Sequence, residues 1–241
     1  MTRLSVNVNK IATLRNARGG NEPNVVQAAV RIQGFGADGV TVHPRPDARH
    51  ITYQDVSDLR EVVHTEFNIE GYPSPDFVAL VCATRPEQVT LVPDPPHVLT
   101  SNAGWRVTEH RDRLRDVLAR FADHGIRTSL FLETDRAQIE AAAEVGAHRV
   151  ELYTESYARN HDAQGAAAAR PFAEAAEWAH EAGLGVNAGH DLNLTNLRDF
   201  ASHVPHLAEV SIGHALVSDA LYLGLSNAVA QYRACLLDFE A

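Results

Sequence analysis

Gly39-Val40-Thr41-Val42-His43 is a short run of apolar and β-branched residues that stops at a side chain able to bind a ligand or move a proton. Seven other runs share this form, and a helix-like stretch follows each of them. They begin near Ser5, Phe67, Gln88, Arg127, Arg149, Gly185 and Glu209, at a spacing of roughly 20 to 40 residues that suits repeated strand-helix units. Several, such as Val89-Thr90-Leu91-Val92, are apolar on both faces, which is typical of parallel strands covered by helices. The pattern predicts an α/β fold, a single (β/α)8 barrel with extra short helices in its loops, spanning residues 1–241 as one domain.

The overall composition is that of an ordinary globular chain. Its 241 residues are 45% hydrophobic and 22% charged, which is enough to bury a large core. The formal net charge of -10 argues against a nucleic-acid partner, because binding to phosphate backbones needs clustered positive charge. Four arginines in or beside the first two predicted loops either attract a small anion or form a solvated surface; they are Arg15, Arg18, Arg45 and Arg49.

The sequence also indicates a compartment. Cys82 and Cys235 have neither metal nor redox spacing, which favours a reducing, cytoplasmic setting. The first residues carry no apolar core of signal-peptide length, and no run approaches the ~20 residues needed to cross a bilayer. We therefore expect neither export nor a membrane partner.

Helical spacing is clearest in two of the connecting segments. Apolar residues recur at three- and four-residue steps over residues 109–123, and the alanine-rich segment 166–182 is predicted to be one helix. Two connections, 94–107 and 155–165, are predicted to be long loops. Long loops on the active face of a barrel often cover the site, and we expect residues 94–107 to do so.

His43, Glu70 and His190 end the second, third and seventh runs. In a barrel these ends meet on the face where the βα loops converge, so the three side chains should share one cavity. Histidine titrates near neutrality without any perturbation, whereas Glu70 needs desolvation to reach that range, and together they predict proton transfer. Two alternatives stay open. The three can be unrelated polar residues at loop edges, or they can form a zinc or manganese site, although no HExxH or paired-cysteine spacing supports a metal.

The last run ends in Ile212-Gly213-His214-Ala215, where a helix is predicted to begin. Glycine at this position lets backbone amides approach an anion, and many barrels bind phosphate after their final strand. The alternative is a tight turn that needs glycine for its geometry. A second phosphate site is predicted from Arg45, whose planar guanidinium suits phosphate oxygens, with His50 and Thr100 as further donors.

Five segments, in order and covering essentially the whole chain, resemble the pyridoxine 5'-phosphate synthase family. They are Val6-Asn7-Val8-Asn9-Lys10-Ile11-Ala12-Thr13-Leu14-Arg15-Asn16-Ala17-Arg18-Gly19, Ala37-Asp38-Gly39-Val40-Thr41-Val42-His43, Arg49-His50-Ile51-Thr52, Asn187-Ala188-Gly189-His190 and Ile212-Gly213-His214-Ala215. The resemblance implies a barrel that condenses 1-deoxy-D-xylulose 5-phosphate with 3-amino-2-oxopropyl phosphate to give pyridoxine 5'-phosphate, inorganic phosphate and water. It implies no metal and no organic cofactor, and homo-oligomers of up to eight subunits.

The matching motifs also imply a role for each site residue. His43 and Glu70 would accept protons, His190 would donate one, and Glu151 would stabilise charged intermediates. Asn7, Gly213 and His214 would hold the aminoketone phosphate, and Asn9, Lys10, Arg45, His50 and Thr100 would hold the deoxyxylulose phosphate. Asp191, which follows the matching His190 motif, is a further candidate substrate-binding residue. Arg18 is a candidate to reach toward a neighbouring subunit's site.

The chain departs from some relatives at three points. Asn9-Lys10 stands where they carry Asp-His, and lysine at that position can still meet an anionic substrate. Asp191 follows His190 where they have glycine, and Gly71-Tyr72-Pro73 replaces a more apolar stretch after Glu70.

Two other functions remain open at this stage. A phosphosugar isomerase or epimerase is the first, because barrels with a terminal phosphate site host many such reactions. Turnover of one sugar phosphate without the aminoketone would favour it. A non-catalytic protein that binds phosphorylated metabolites is the second, and it would bind ligand without forming product.

Overall fold

Eight parallel strands close into a barrel in chain order, in a computed structural model that describes residues 1–93 and 103–237. The strands are β1 (Arg3–Asn7), β2 (Gly39–Val42), β3 (Glu66–Gly71), β4 (Gln88–Leu91), β5 (Arg127–Leu132), β6 (Arg149–Leu152), β7 (Gly185–Gly189) and β8 (Leu207–Ile212). Val6 of β1 pairs with Val40 on one side and with Ile212 on the other, and this pairing closes the sheet. The predicted (β/α)8 barrel is confirmed.

Helices connect the strands and cover the outside of the barrel. They are α1 (Asn9–Asn16), α2 (Val25–Gly34), α3 (Tyr53–Arg60), α4 (Pro75–Thr84), α5 (Arg111–Asp123), α6 (Arg136–Glu144), α7 (Glu155–Gln164), α8 (Arg170–Glu181), α9 (Leu197–His203), α10 (His214–Leu223) and α11 (Leu225–Cys235), with short 3-10 helices at Val107–Glu109 and Gly165–Ala169. Their apolar faces pack into the core; in α5, for example, Leu114, Leu118 and Phe121 are buried at the predicted spacing. Within the described ranges, no helix is both long and apolar enough to span a bilayer.

Two of the predicted connections differ from the structure. Residues 155–165, predicted to be a loop, form α7, whose side chains are mostly polar and which buries Tyr157. A helix with so narrow an apolar face gives no clear periodic signal. The predicted helix 166–182 begins only at Arg170, because Pro171 has no amide hydrogen and favours the first helical turn. Most of the predicted cover at 94–107 lies outside the described residues.

The inside of the barrel is polar, whereas barrels of this type are usually filled with branched apolar side chains. A buried layer of hydrogen bonds crosses it. Ser5 Oγ lies 2.7 Å from Oγ1 of Thr41, Nδ2 of Asn68 donates to the same Thr41 oxygen at 3.3 Å, and Oγ1 of Thr90 donates to Oδ1 of Asn68 at 3.1 Å. Polar groups therefore continue from the middle of the barrel to its carboxyl-end mouth.

The amino-end layer of the barrel holds a buried charged cluster. Arg3 and Arg127 both pair with Glu66, the first at 2.8 Å, and Arg149 pairs with Glu209 at 3.3 Å. Burial, together with the neighbouring Glu66 carboxyl, raises the pKa of Glu209 to about 8. The two carboxyls thus share a proton that resides on Glu209, while the arginines balance the charge of Glu66.

Candidate active site

A chain of hydrogen bonds joins four of the predicted site residues at the carboxyl-end rim. Asn7, at the end of β1, donates from Nδ2 to Oε2 of Glu70 at 3.3 Å and accepts at Oδ1 from the backbone amide of Asn9 at 3.0 Å. Oδ1 of Asn9 in turn accepts from the backbone amide of His43 at 2.9 Å. The start of the chain is therefore tied to the ends of β2 and β3, as expected for parallel strands that finish on one face.

Glu70 and Glu151 are two carboxyls inside this mouth. Burial raises the pKa of Glu70 to about 8, and repulsion from the Glu209 carboxyl deeper in the barrel, whenever that group is ionised, adds to the effect. Burial likewise raises the pKa of Glu151 to about 8, reinforced by the charge of Glu70 and opposed by that of His190. The pair retains protons at neutral pH. The expectation that desolvation brings Glu70 into the neutral range is confirmed.

The pKa values of His43 and His50 are lowered, in contrast to those of the two carboxyls. Burial, reinforced by the nearby charge of Arg45, lowers the pKa of His43 to about 3 and that of His50 to about 4. Their ring centroids are 6.0 Å apart. The expectation that His43 titrates near neutrality is therefore wrong, because desolvation and the surrounding cations disfavour its charged form. At neutral pH both rings are uncharged, so His43 can accept a proton.

His190 follows β7 with a backbone φ of 53°, in the left-handed region. Its Nδ1 lies 2.8 Å from Oδ2 of Asp191, and this hydrogen bond is the largest cause of the lowered pKa of Asp191. The ring of Tyr153 meets that of His190 edge-on at a centroid distance of 5.1 Å, and the ring of Phe131 lies 6.4 Å away. A carboxylate and two aromatic rings thus surround the imidazole.

Tyr153 is a site residue that the sequence analysis missed. It lies two residues after Glu151 and directly follows the end of β6, where its amide still donates to the Leu132 carbonyl of β5 at 2.8 Å; side chains at that spacing along a strand point to the same face. That spacing is the signal that could have identified it.

The residues predicted to hold one phosphate lie together around His50. Arg45 is only 6% exposed, and its charge lowers the pKa of both His43 and His50. Lys10, at the start of α1, also lowers the pKa of His50. The predicted Thr100 lies outside the described residues.

The residues predicted for the second phosphate are placed around Asn7 and Asp191. Gly213 approaches Asn7 so closely that a Cβ on the glycine would lie 3.0 Å from the Asn7 Cβ. His214 begins α10, and its charge helps to lower the pKa of Asp191. Arg18, by contrast, is exposed in the turn after α1.

Two of the arginines predicted to attract an anion are paired within the chain. Arg15 is buried and binds the Asp55 carboxylate at 2.5 Å, and Arg49 binds Asp47 at 2.5 Å. For Arg15 the predicted role is wrong, because the buried pair neutralises its charge.

The metal alternative finds no matching geometry in the part of the chain that the structure describes. Across residues 1–93 and 103–237, no group of three or more His, Cys, Asp or Glu side chains is arranged to hold a metal ion. His43, Glu70 and His190 therefore do not form such a group.

Comparison with known proteins gives the same family over almost the whole chain. The family model described as pyridoxal phosphate biosynthesis protein PdxJ matches residues 4–238. Pyridoxine 5'-phosphate synthase of Bacteroides fragilis is 59% identical over 236 residues, which cover 98% of this chain and 100% of that protein. The pyridoxine 5'-phosphate synthase of Christiangramia forsetii is 57% identical over 232 residues, covering 96% and 98%. Among solved structures, tryptophan synthase from M. tuberculosis matches with a TM-score of 0.65 at 13% identity, over 98% of this chain and 94% of that one, a likeness of fold alone.

Proposed function

The chain belongs to the family of pyridoxal phosphate biosynthesis protein PdxJ, and we propose that the mouth of its barrel carries out the family's reaction with the residues described above. The protein is a pyridoxine 5'-phosphate synthase. It condenses 1-deoxy-D-xylulose 5-phosphate with 3-amino-2-oxopropyl phosphate, and it releases pyridoxine 5'-phosphate, phosphate and water. The observation that best supports the proposed site is the chain of hydrogen bonds that runs from Glu70 through Asn7 and Asn9 to His43.

Ring formation proceeds through imine formation, loss of water, loss of phosphate and an aldol-type closure, and each step moves protons. His43 is uncharged at neutral pH, and in this proposal it accepts a proton as the amine adds to the carbonyl, once the anionic phosphate of the substrate offsets the charge of Arg45 that lowers its pKa. Glu70 and Glu151 retain protons at neutral pH, so each can donate in one step and accept in a later one. His190, held by Asp191, is placed to protonate a departing oxygen.

The two phosphates take separate positions in this proposal. Asn9, Lys10, Arg45 and His50 hold the deoxyxylulose phosphate, with Thr100 as an additional donor, because cations and neutral N–H groups concentrate there. Asn7, Gly213 and His214 hold the aminoketone phosphate, where the amides that begin α10 meet the anion. Asp191 belongs to this second group, with its carboxylate already bonded to His190.

We also propose a homo-oligomer, up to an octamer, of subunits that each form one domain over residues 1–241. The exposed Arg18 supports this arrangement, because an arginine outside its own barrel mouth is free to reach a second site. The free thiols of Cys82 and Cys235 support a cytoplasmic location.

The test is to incubate the purified protein with both substrates and to measure pyridoxine 5'-phosphate and released phosphate. Neither product should form when one substrate is omitted. His43→Ala should abolish turnover, whereas His64→Ala, an exposed histidine outside the site, should leave it unchanged. Consumption of the sugar phosphate alone would instead identify an isomerase, and ligand binding without any product would identify a binding protein. A crystal soaked in inorganic phosphate should show two anions at the mouth.

A further inference from the structure

The last turn of α1 makes contacts that the roles above do not explain. Arg15 is 8% exposed and Asp55 is 7% exposed, and the guanidinium binds both carboxylate oxygens, at 2.5 and 2.9 Å. The same guanidinium donates to the backbone carbonyl of His50 at 3.2 Å. A charged pair buried on the outside of the barrel therefore reaches a residue of the proposed phosphate site.

Asn16, the next residue, is exposed but holds the same loop. Its Nδ2 donates to the carbonyl of His50 at 2.8 Å and to that of Ala48 at 3.2 Å, while its Oδ1 accepts from Nε of Arg15 at 3.0 Å. Ala48 has a φ of 51°, a left-handed conformation that non-glycine residues adopt only when their surroundings hold it. Asn16 supplies part of that support.

Asp55 secures the other end of the loop. One of its carboxylate oxygens accepts from the backbone amide of Thr52 at 2.7 Å, and the Asp55 amide donates to the Thr52 hydroxyl oxygen at 3.1 Å, which together form a capping box at the start of α3. Residues 44–52 of the loop between β2 and α3 are thereby fixed to α1 through Arg15 with its partner Asp55 and through Asn16.

The backbone of this loop also fixes which ring nitrogen of His50 carries the hydrogen. The backbone amide of Ile51 donates to Nδ1 of His50 at 2.9 Å, so Nδ1 must carry a lone pair. The ring hydrogen of the uncharged imidazole therefore resides on Nε2, which is a donor suited to a phosphate oxygen. A shift of the carbonyl of His50 would move this donor with it.

We propose that Arg15, Asn16 and Asp55 are positioning residues, which hold the 44–52 loop so that His50 and Arg45 present their donors to the phosphate of the sugar substrate. The inference rests on the proposed function for the identity of that phosphate. Because α1 begins at Asn9 and Lys10 and ends at Arg15 and Asn16, this one helix sets the position of both walls of the phosphate site.

Asn16→Ala provides the cleanest test, because Asn16 is exposed and its loss leaves the buried pair in place. We expect the KM for deoxyxylulose phosphate to rise by about tenfold, equal to ~1.4 kcal/mol, while kcat and the KM for the aminoketone phosphate stay within about twofold. Asn16→Asp, which keeps the shape but removes both donors, should behave alike. Asn160→Ala is the matched control, since Asn160 is exposed and donates to the Ser156 carbonyl within α7 at 2.8 Å. An unchanged KM in both Asn16 variants would overturn the proposal.

Two further measurements separate positioning from a general loss of order. Combining Asn16→Ala with His50→Ala should raise the KM by clearly less than the product of the two single effects, because both changes act on one loop. A KM that rises by the full product of the two single effects would show that Asn16 does not act through this loop. Hydrogen exchange followed by mass spectrometry should show faster exchange in Asn16→Ala within residues 44–52 and unchanged exchange in β5 and β6. Hydrogen exchange can be measured without turnover, so the two proposals fail separately. An inactive wild type would overturn the proposed function, whereas unchanged exchange of residues 44–52 in Asn16→Ala would overturn the positioning role.

Discussion

Glu70→Gln tests whether the buried carboxyl at the end of β3 controls turnover. The pKa of Glu70 is raised to about 8, chiefly by burial. A carboxyl with that pKa is ionised to about one part in a hundred at pH 6 and to about one half at pH 8. Because a base acts only when it is deprotonated, kcat/KM of the wild type should rise by about 50-fold between pH 6 and pH 8.

Glu70→Gln should lower kcat and abolish the rise in rate with pH. Glutamine keeps an oxygen for the 3.3 Å bond from Asn7, so the fold and both KM values should change little. It cannot accept a proton, and kcat should fall by ~100-fold or more, with no rise between pH 6 and pH 8. The assay is the initial rate of pyridoxine 5'-phosphate formation, with circular dichroism to check folding and Glu61→Gln, an exposed position, as the control. A flat profile in the wild type, or a rising one in Glu70→Gln, would refute the reasoning.

Three further predictions follow from the same geometry. Arg45→Ala should raise the KM for deoxyxylulose phosphate by about tenfold or more with a small change in kcat, and an unchanged KM would contradict its phosphate role. Asp191→Asn weakens the 2.8 Å contact to His190 and should lower kcat by about tenfold at constant KM; a change confined to KM would assign Asp191 to binding alone. The thermal midpoint should fall as pH rises from about 6.5 to 8, because buried carboxyls such as Glu209 bind protons more tightly in the folded state, and Glu209→Gln should weaken this trend.

The strands could be predicted because each leaves a local signal. Val89-Thr90-Leu91-Val92 is a buried run of apolar and β-branched residues, and β4 is found there, although Thr90 belongs to the polar layer inside the barrel. The polar residue after each strand also lies where parallel pairing puts it, as the Asn9 contact to His43 demonstrates. Local pattern and strand direction were sufficient for these features.

Pairing between distant side chains could not be predicted in this way. Arg15 looks like any other arginine near the first loop, and its partner Asp55 lies 40 residues further along the chain. The pKa of His43 depends on burial and on Arg45, and a sequence pattern gives neither the depth of a residue nor the direction of a guanidinium. Helix α7 was missed for a related reason, because its stability comes from Tyr157 packing against Phe200 at a centroid distance of 4.9 Å and not from a broad apolar stripe.

The polar interior connects the chemistry of the mouth to the stability of the barrel. Glu66 at the amino end has two arginine partners, whereas Glu70 at the carboxyl end accepts from the neutral amide of Asn7 at 3.3 Å. Arginines beside Glu70 would lower its pKa and fix it as a carboxylate, which would remove its capacity to donate a proton. A neutral partner leaves the proton of Glu70 available for transfer. The fold then becomes less stable as the pH rises toward the pKa of Glu70, which is also the pH at which Glu70 becomes an effective base. Activity and stability therefore depend on pH in opposite directions, and the paired Glu66 cluster lies at the end of the barrel where proton transfer is not needed.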